Sequence, residues 1–165
     1  MNGWVVGEYG YIYHTSNGGK TWERQAGEFG FSEETGDIIG GDFLFDVVAV
    51  DTKTAWVAGI DGYVSQTIDG GATWQKMKKG LPHTHLFGIT VDEEHRIIVV
   101  GNGTLRVGSN VDPTFHMPKA EPAIRYGWLY GVTPRGKGGF VAVGSNGWIY
   151  LSDKNGSFWN RVSGR

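Results

Sequence analysis

Trp56-Val57-Ala58-Gly59-Ile60-Asp61-Gly62-Tyr63-Val64-Ser65-Gln66-Thr67-Ile68-Asp69-Gly70-Gly71-Ala72-Thr73-Trp74 restates an earlier stretch, Trp4-Val5-Val6-Gly7-Glu8-Tyr9-Gly10-Tyr11-Ile12-Tyr13-His14-Thr15-Ser16-Asn17-Gly18-Gly19-Lys20-Thr21-Trp22. A weaker copy runs from Phe140 to Ser152 and closes at Trp159, and an eroded one runs from Ile98 to Arg106 and closes at Thr114-Phe115. Marked by Gly7, Gly59, Gly101 and Gly144, the copies stand 52, 42 and 43 residues apart. Four-stranded propeller blades recur every ~40–45 residues, so the last two steps fit and the first carries roughly ten residues more. The excess falls between Gln25 and Asp42, where Gly27, Glu28, Gly30, Glu33, Glu34, Gly36 and Asp37 disfavour strand.

Inside each copy the pattern Val-x-Gly-x-x-Gly predicts a β-branched strand stopped by glycines that take φ > 0 in a hairpin. A further strand precedes three of the copies: Leu44-Phe45-Asp46-Val47, Leu86-Phe87-Gly88-Ile89 and Leu129-Tyr130-Gly131-Val132, spaced 42 and 43 residues apart. These are apolar on both faces, as an innermost strand packed between blades should be. No stretch has sustained helical periodicity. The chain therefore predicts an all-β, β-propeller-like array of about four four-stranded antiparallel blades. They form one domain over residues 1–165, with blades at about 1–26, 43–80, 84–118 and 126–165 and an insertion at 27–42. The first blade is expected to be incomplete, since its copy opens on a second strand and no spare strand follows the last copy.

The 165 residues match one domain and are enough to bury a core without disulfides or metal staples. With 15 Lys+Arg against 17 Asp+Glu there is no broad field for phosphate backbones or anionic lipid, so no nucleic-acid partner is expected. Cysteine is absent, which excludes disulfides, thiolate zinc sites and a cysteine nucleophile. The N-terminal residues show neither a basic nor an apolar signal region, and no apolar run approaches the ~20 residues that span a bilayer, so membrane insertion is not expected.

Two hairpins carry the same eight-residue pattern, in which Thr15, Asn17, Gly19, Thr21 and Trp22 correspond to Thr67, Asp69, Gly71, Thr73 and Trp74. A short Asn or Asp side chain accepts N–H groups across such a turn, the glycines supply permissive dihedrals, and the indole is expected to pack beneath its hairpin. The third copy departs, with Asn110, Asp112 and Phe115; the fourth keeps Ser152, Gly156 and Trp159 but has Lys154 and Phe158 at the acidic and Thr positions. This pattern resembles the Asp-box (bacterial neuraminidase repeat) family. The fuller phrase is most similar to the photosystem II stability/assembly factor group and its bacterial relatives, which form β-propellers. The resemblance implies that Asn17 and Asp69 staple turns rather than catalyse, that the protein works outside the cytoplasm (periplasmic or extracellular), and that no cofactor is needed.

A sialidase would need an arginine triad and a Phe/Tyr-Arg-Ile-Pro signature; the signature is absent, and Arg24, Arg96, Arg106, Arg125, Arg135, Arg161 and Arg165 occupy unrelated repeat positions. Asp42, Asp46 and Glu121 are the acids that a hydrolytic pair would draw on, with solvated loop acids the simpler reading. His83 and His85, two residues apart, share one face of an extended segment, but no third ligand adjoins them, and no metal site is assigned.

Phe43, His85 and Trp128 each precede the aligned leucine of an inner strand. With Phe45, Phe87, Tyr130, Arg125 and Tyr126 they compose a candidate aromatic, mildly basic binding surface at the mouth of the central channel, the alternative being packing between blades. The reading that follows is a non-catalytic scaffold that presents a surface to a protein partner, similar to an assembly or stability factor for a membrane-bound complex. A glycan-binding or glycoside-hydrolase propeller fragment and a structural module of a larger extracellular protein are the alternatives. Exposed blade edges further predict self-association through the first and last blades.

Overall fold

The computed structural model describes residues 1–162 except 111 and 113, so Arg165 lies outside the described residues. The chain is all-β. The first sheet contains β1 (Gly3–Val6), β2 (Ile12–Thr15) and β3 (Glu23–Ala26), with no innermost strand among the described residues. A separate hairpin follows, β4 (Phe29–Phe31) against β5 (Ile38–Gly40). The strand-disfavouring insertion thus holds a short two-stranded sheet around its Glu-rich turn.

The second blade has four antiparallel strands, β6 (Leu44–Ala49), β7 (Ala55–Gly59), β8 (Val64–Thr67) and β9 (Gln75–Lys76). The third contains β10 (Leu86–Val91), β11 (Arg96–Gly101) and β12 (Thr104–Ser109). Among the described residues it has three strands where four were expected, and the fourth position holds a bridge between Val107 and His116. Pro118 lies two residues beyond His116 and has no N–H to extend that ladder. The last blade is built from β14 (Leu129–Pro134), β15 (Phe140–Gly144), β16 (Ile149–Ser152) and β17 (Phe158–Arg161). A fifth strand, β13 (Lys119–Glu121), lies parallel along β17, so the link between the third and fourth blades doubles as an outer edge of the fourth.

The inner strands β6, β10 and β14 stand side by side, with β10 between the other two and β1 against β6. The sheets fan out as a partial propeller that does not close into a ring. The core is divided among the joints between blades. Trp4, Ile12, Leu44 and Val57 fill the first joint; Trp56, Ala58, Leu86 and Val99 the second; Val100, Leu105, Leu129, Tyr150 and Trp159 the third. Strand alternation sends successive side chains to opposite joints, which is why β7 and most of β11 are buried along their whole length.

The Val-x-Gly-x-x-Gly pattern divides its two glycines between different tasks. The expectation that both take φ > 0 is corrected: Gly7, Gly59 and Gly144 are extended, at φ −169°, −162° and −162°. A Cβ at Gly59, Gly101 or Gly144 would collide with the carbonyl oxygen of Phe43, His85 or Trp128 respectively, so this glycine is set by close approach. The turn itself uses the second and third positions after that glycine in the left-handed region: Tyr9-Gly10, Asp61-Gly62 and Asn146-Gly147. Two successive positive φ values match the right-handed twist of the hairpin they close.

Candidate functional site: an aromatic strip on the inner strands

The same backbone event occurs three times at the start of the inner strands. Leu44 faces Gly59, Leu86 faces Gly101 and Leu129 faces Gly144, and the register then slips by one residue. The residue left over in each bulge is Phe45, Phe87 or Tyr130, so an aromatic ring is turned out of the ladder at an equivalent place in three consecutive blades. Just before it, the carbonyls of Phe43, His85 and Trp128 accept the amides of Ile60 (2.8 Å), Asn102 (2.9 Å) and Ser145 (2.8 Å). These bonds fix the backbone and leave the side chains outside the joints.

The rings meet. Phe87 lies 5.3 Å from Phe45, 5.6 Å from Tyr130, 6.0 Å from Trp128 and 6.2 Å from His85, between ring centroids. Trp128 is 46% and Tyr130 50% exposed, and His85 and Phe45 are also open to solvent. Neither His85 nor Trp128 is buried between blades. The surface is apolar with tilted rings, the kind of patch that loses water readily to a complementary apolar partner.

The predicted set is only partly brought together. Phe43 belongs to a second aromatic group, 5.7 Å from Tyr9, which in turn packs on Phe29 of the insertion at 4.6 Å. Sequence reading missed Phe29 and Phe31; the signal was two phenylalanines at i, i+2 in a segment otherwise read as strand-breaking. Arg125 and Tyr126 are exposed and line a separate groove of about 350 Å³ with Leu105, Met117, Ala120 and Ile124. His83 Nδ1 stands 3.6 Å from Asp61. Among the described residues no group of three His, Asp or Glu side chains is placed to hold a metal ion.

The three candidate acids are each engaged in separate contacts. Asp42 pairs with Lys76 at 2.7 Å, and Glu121 pairs with Lys119 at 2.7 Å. Asp46 accepts the amides of Val47 (2.9 Å) and, across the joint, Ile89 (2.9 Å). Burial pushes its carboxyl above the ordinary range, and the two amides oppose that shift.

The hairpin turns show their chemistry directly. Thr15 and Thr67 hydroxyls accept the amides of Gly19 (2.9 Å) and Gly71 (2.8 Å) while donating to Asn17 and Asp69. Asn17 and Asp69 accept the amides of Thr21 (3.0 Å) and Thr73 (2.9 Å). Hydrogen bonds from Thr73 and Thr67 hold the Asp69 carboxyl down at about 2. In the fourth copy the acid is Asp153, not the Lys154 position: it accepts the amide of Ser157 at 2.7 Å, and Ser152 Oγ accepts the amide of Phe140 at 2.7 Å. Gly156 donates its amide to the Asp153 carbonyl in the same turn. The indoles differ. Trp159 is fully buried, Trp74 is half-buried with an unpaired buried N–H, and Trp22 is exposed. The Trp22 ring lies against Gly19 of its own hairpin yet stays 41% exposed, so it is not buried as Trp159 is.

Among the described residues no helix is long and apolar enough to cross a membrane. In a structure determined as YCF48 bound to D1 peptide, the fold recurs with a TM-score of 0.61 and 18% identity; 96% of this chain aligns, with 48% of the other. A crystal structure of an ancestral GH74 enzyme is similar with a TM-score of 0.69 and 14% identity, over 98% of this chain and 22% of that one. The chain thus spans about half the length of the first of these and about a fifth of the second. No curated protein sequence matches it. The family described as photosynthesis system II assembly factor YCF48 matches residues 1–165, and the chain belongs to that family.

Proposed function

We propose that the protein is a non-catalytic scaffold of the assembly-factor type, holding a protein segment against the strip formed by Phe45, Phe87, Tyr130, Trp128 and His85. One observation carries this reading: three successive inner strands turn an aromatic residue outward at the same bulge, and the rings join into one solvent-facing surface. A fold that needed those positions only for packing would bury them. Family membership supports an assembly role, and the relative bound to D1 peptide supports a peptide as the occupant. The individual engagement of Asp42, Asp46 and Glu121 supports the non-catalytic reading.

The test is a titration of fluorescently labelled D1 peptide. Binding is expected, with the Trp128→Ala/Tyr130→Ala variant weaker by about tenfold or more, as for a buried aromatic anchor. The exposed Trp22→Ala control should bind as the parent does. Equal affinity in parent and double variant would reject the strip as the site. Binding and turnover of oligosaccharides, lost with the same substitutions, would instead favour the glycan reading.

A further inference from the structure

We propose that the groove beside Leu105 is an anchor pocket for one tryptophan side chain of the protein segment that the scaffold holds. This rests on the reading of the protein as a segment-binding scaffold and adds a contact outside the aromatic strip. The position stands out when equivalent residues of the four blades are compared. Ile12, Val64, Leu105 and Ile149 each lie two residues past a turn glycine and face Val6, Ala58, Val100 and Val143 respectively. Three of them are met from the outer side. Ile12 pairs with Ala26, the Val64 carbonyl accepts the Met77 amide at 2.8 Å, and the Ile149 carbonyl accepts the Val162 amide at 2.8 Å. Leu105 differs. Counted on from the bridge between Val107 and His116, the residue opposite Leu105 is Pro118, which has no N–H to give. Among the described residues, the Leu105 carbonyl meets only the Arg106 guanidinium at 3.5 Å, which is long for a hydrogen bond.

Val107 exchanges its backbone bonds outward with His116, and alternation along β12 turns the Leu105 carbonyl to the same side. The groove of about 350 Å³ lies there, with Leu105, 2% exposed, in its floor. A carbonyl buried without a donor is costly until one arrives. Pro118, Ala120, Ala123 and Ile124 make the walls apolar, and the exposed Arg125 and Tyr126 complete the lining. The occupant that fits is large and apolar and brings a donor without an acceptor that burial would leave unpaired. Indole meets these terms. Leu, Ile, Met and Phe bring no donor; Asn, Gln, His and Tyr bring an acceptor; Lys and Arg bring a like charge beside Arg125. The chain makes the same pairing in its own core, where the Trp159 indole donates to the Gly156 carbonyl at 2.8 Å. The Arg125 guanidinium is also placed to meet an aromatic face. Tyr126 stands two residues before Trp128 of the strip, so one extended segment spans both.

Titration of N-acetyl-tryptophanamide into the isotope-labelled chain, followed by amide NMR, tests this. Saturable shifts are expected at Leu105, Arg106 and Ala123. N-acetyl-1-methyltryptophanamide, whose ring has lost its donor, and N-acetyl-phenylalaninamide should each bind about tenfold more weakly. Ala123→Phe, a change at an exposed residue that fills the groove, should abolish the shifts with unchanged far-UV circular dichroism. The absence of saturable shifts at these amides, or equal binding of the methylated and unmethylated probes, would overturn the proposal. Free tryptophan bound more tightly than the capped amide would overturn a protein segment as the source of the indole. A parent chain that takes the capped amide but not labelled D1 peptide would strike the strip and leave the pocket; the reverse result would strike the pocket alone.

Discussion

Trp159 and Trp22 close equivalent hairpins, yet the first is fully buried against Phe140 and the second is 41% exposed. Replacing Trp159 with Ala should cost about 3–5 kcal/mol, the usual loss for a large buried aromatic, while Trp22→Ala should cost less than about 1 kcal/mol. Chemical denaturation of the two variants reads both values. The turn acid Asp69 carries a pH signature of its own. Its folded pKa, about 2, lies below the unfolded value of 3.8, so its contribution is complete above the unfolded value and is lost as the pH falls from 3.8 through about 2. Acid unfolding followed by tryptophan fluorescence should therefore lose sensitivity in that window in Asp69→Asn, which keeps an acceptor oxygen as Asn17 does. An unchanged acid limb would show that the turn does not discriminate between charged and neutral forms.

Three of the blades start from a close backbone approach at Gly59, Gly101 and Gly144. Gly101→Ala places a methyl group against the His85 carbonyl and threatens the Asn102 amide bond to the same oxygen. It should cost about 1–3 kcal/mol, in line with overpacking of a tight site, and should also disturb the Phe87 bulge. Thermal unfolding measures the first effect and peptide titration the second. A fully stable variant with normal affinity would dissociate the glycine from the positioning of the strip. Much at this level was legible beforehand: the 42- and 43-residue spacing placed β6, β10 and β14 because inner strands are apolar on both faces. The bulge was not, since Leu-Phe-Gly-Ile reads the same whether its Phe stays in register or is squeezed out. Nor was the third blade, in which three strands stand among the described residues, whose fourth position holds a bridge at His116 and whose linker joins the next blade as β13.

Across the fan, stability is distributed over three joints rather than one central core, and side-chain bonds tie neighbouring blades. Gln25 accepts the Trp4 indole N–H at 3.0 Å and donates to the Gly70 carbonyl at 2.6 Å; Asp46 spans the next joint to Ile89. Neither tie is visible in a repeat pattern, because Gln25 and Asp46 each lack an equivalent in the other copies. The same holds for the split of the predicted aromatic set, in which Phe43 joined the insertion's Phe29 through Tyr9 while Trp128 joined Phe87.

The amino-acid order was enough to establish the repeat, the all-β architecture, the inner strands and the turn chemistry of Thr15-Asn17 and Thr67-Asp69, because each arises from interactions among residues a few positions apart. Exposure was settled by the arrangement of blades in space. Whether Ile149 is open while Leu105 is buried, or Trp22 open while Trp159 is buried, depends on whether another sheet stands against that face, and equivalent residues carry no record of their neighbours.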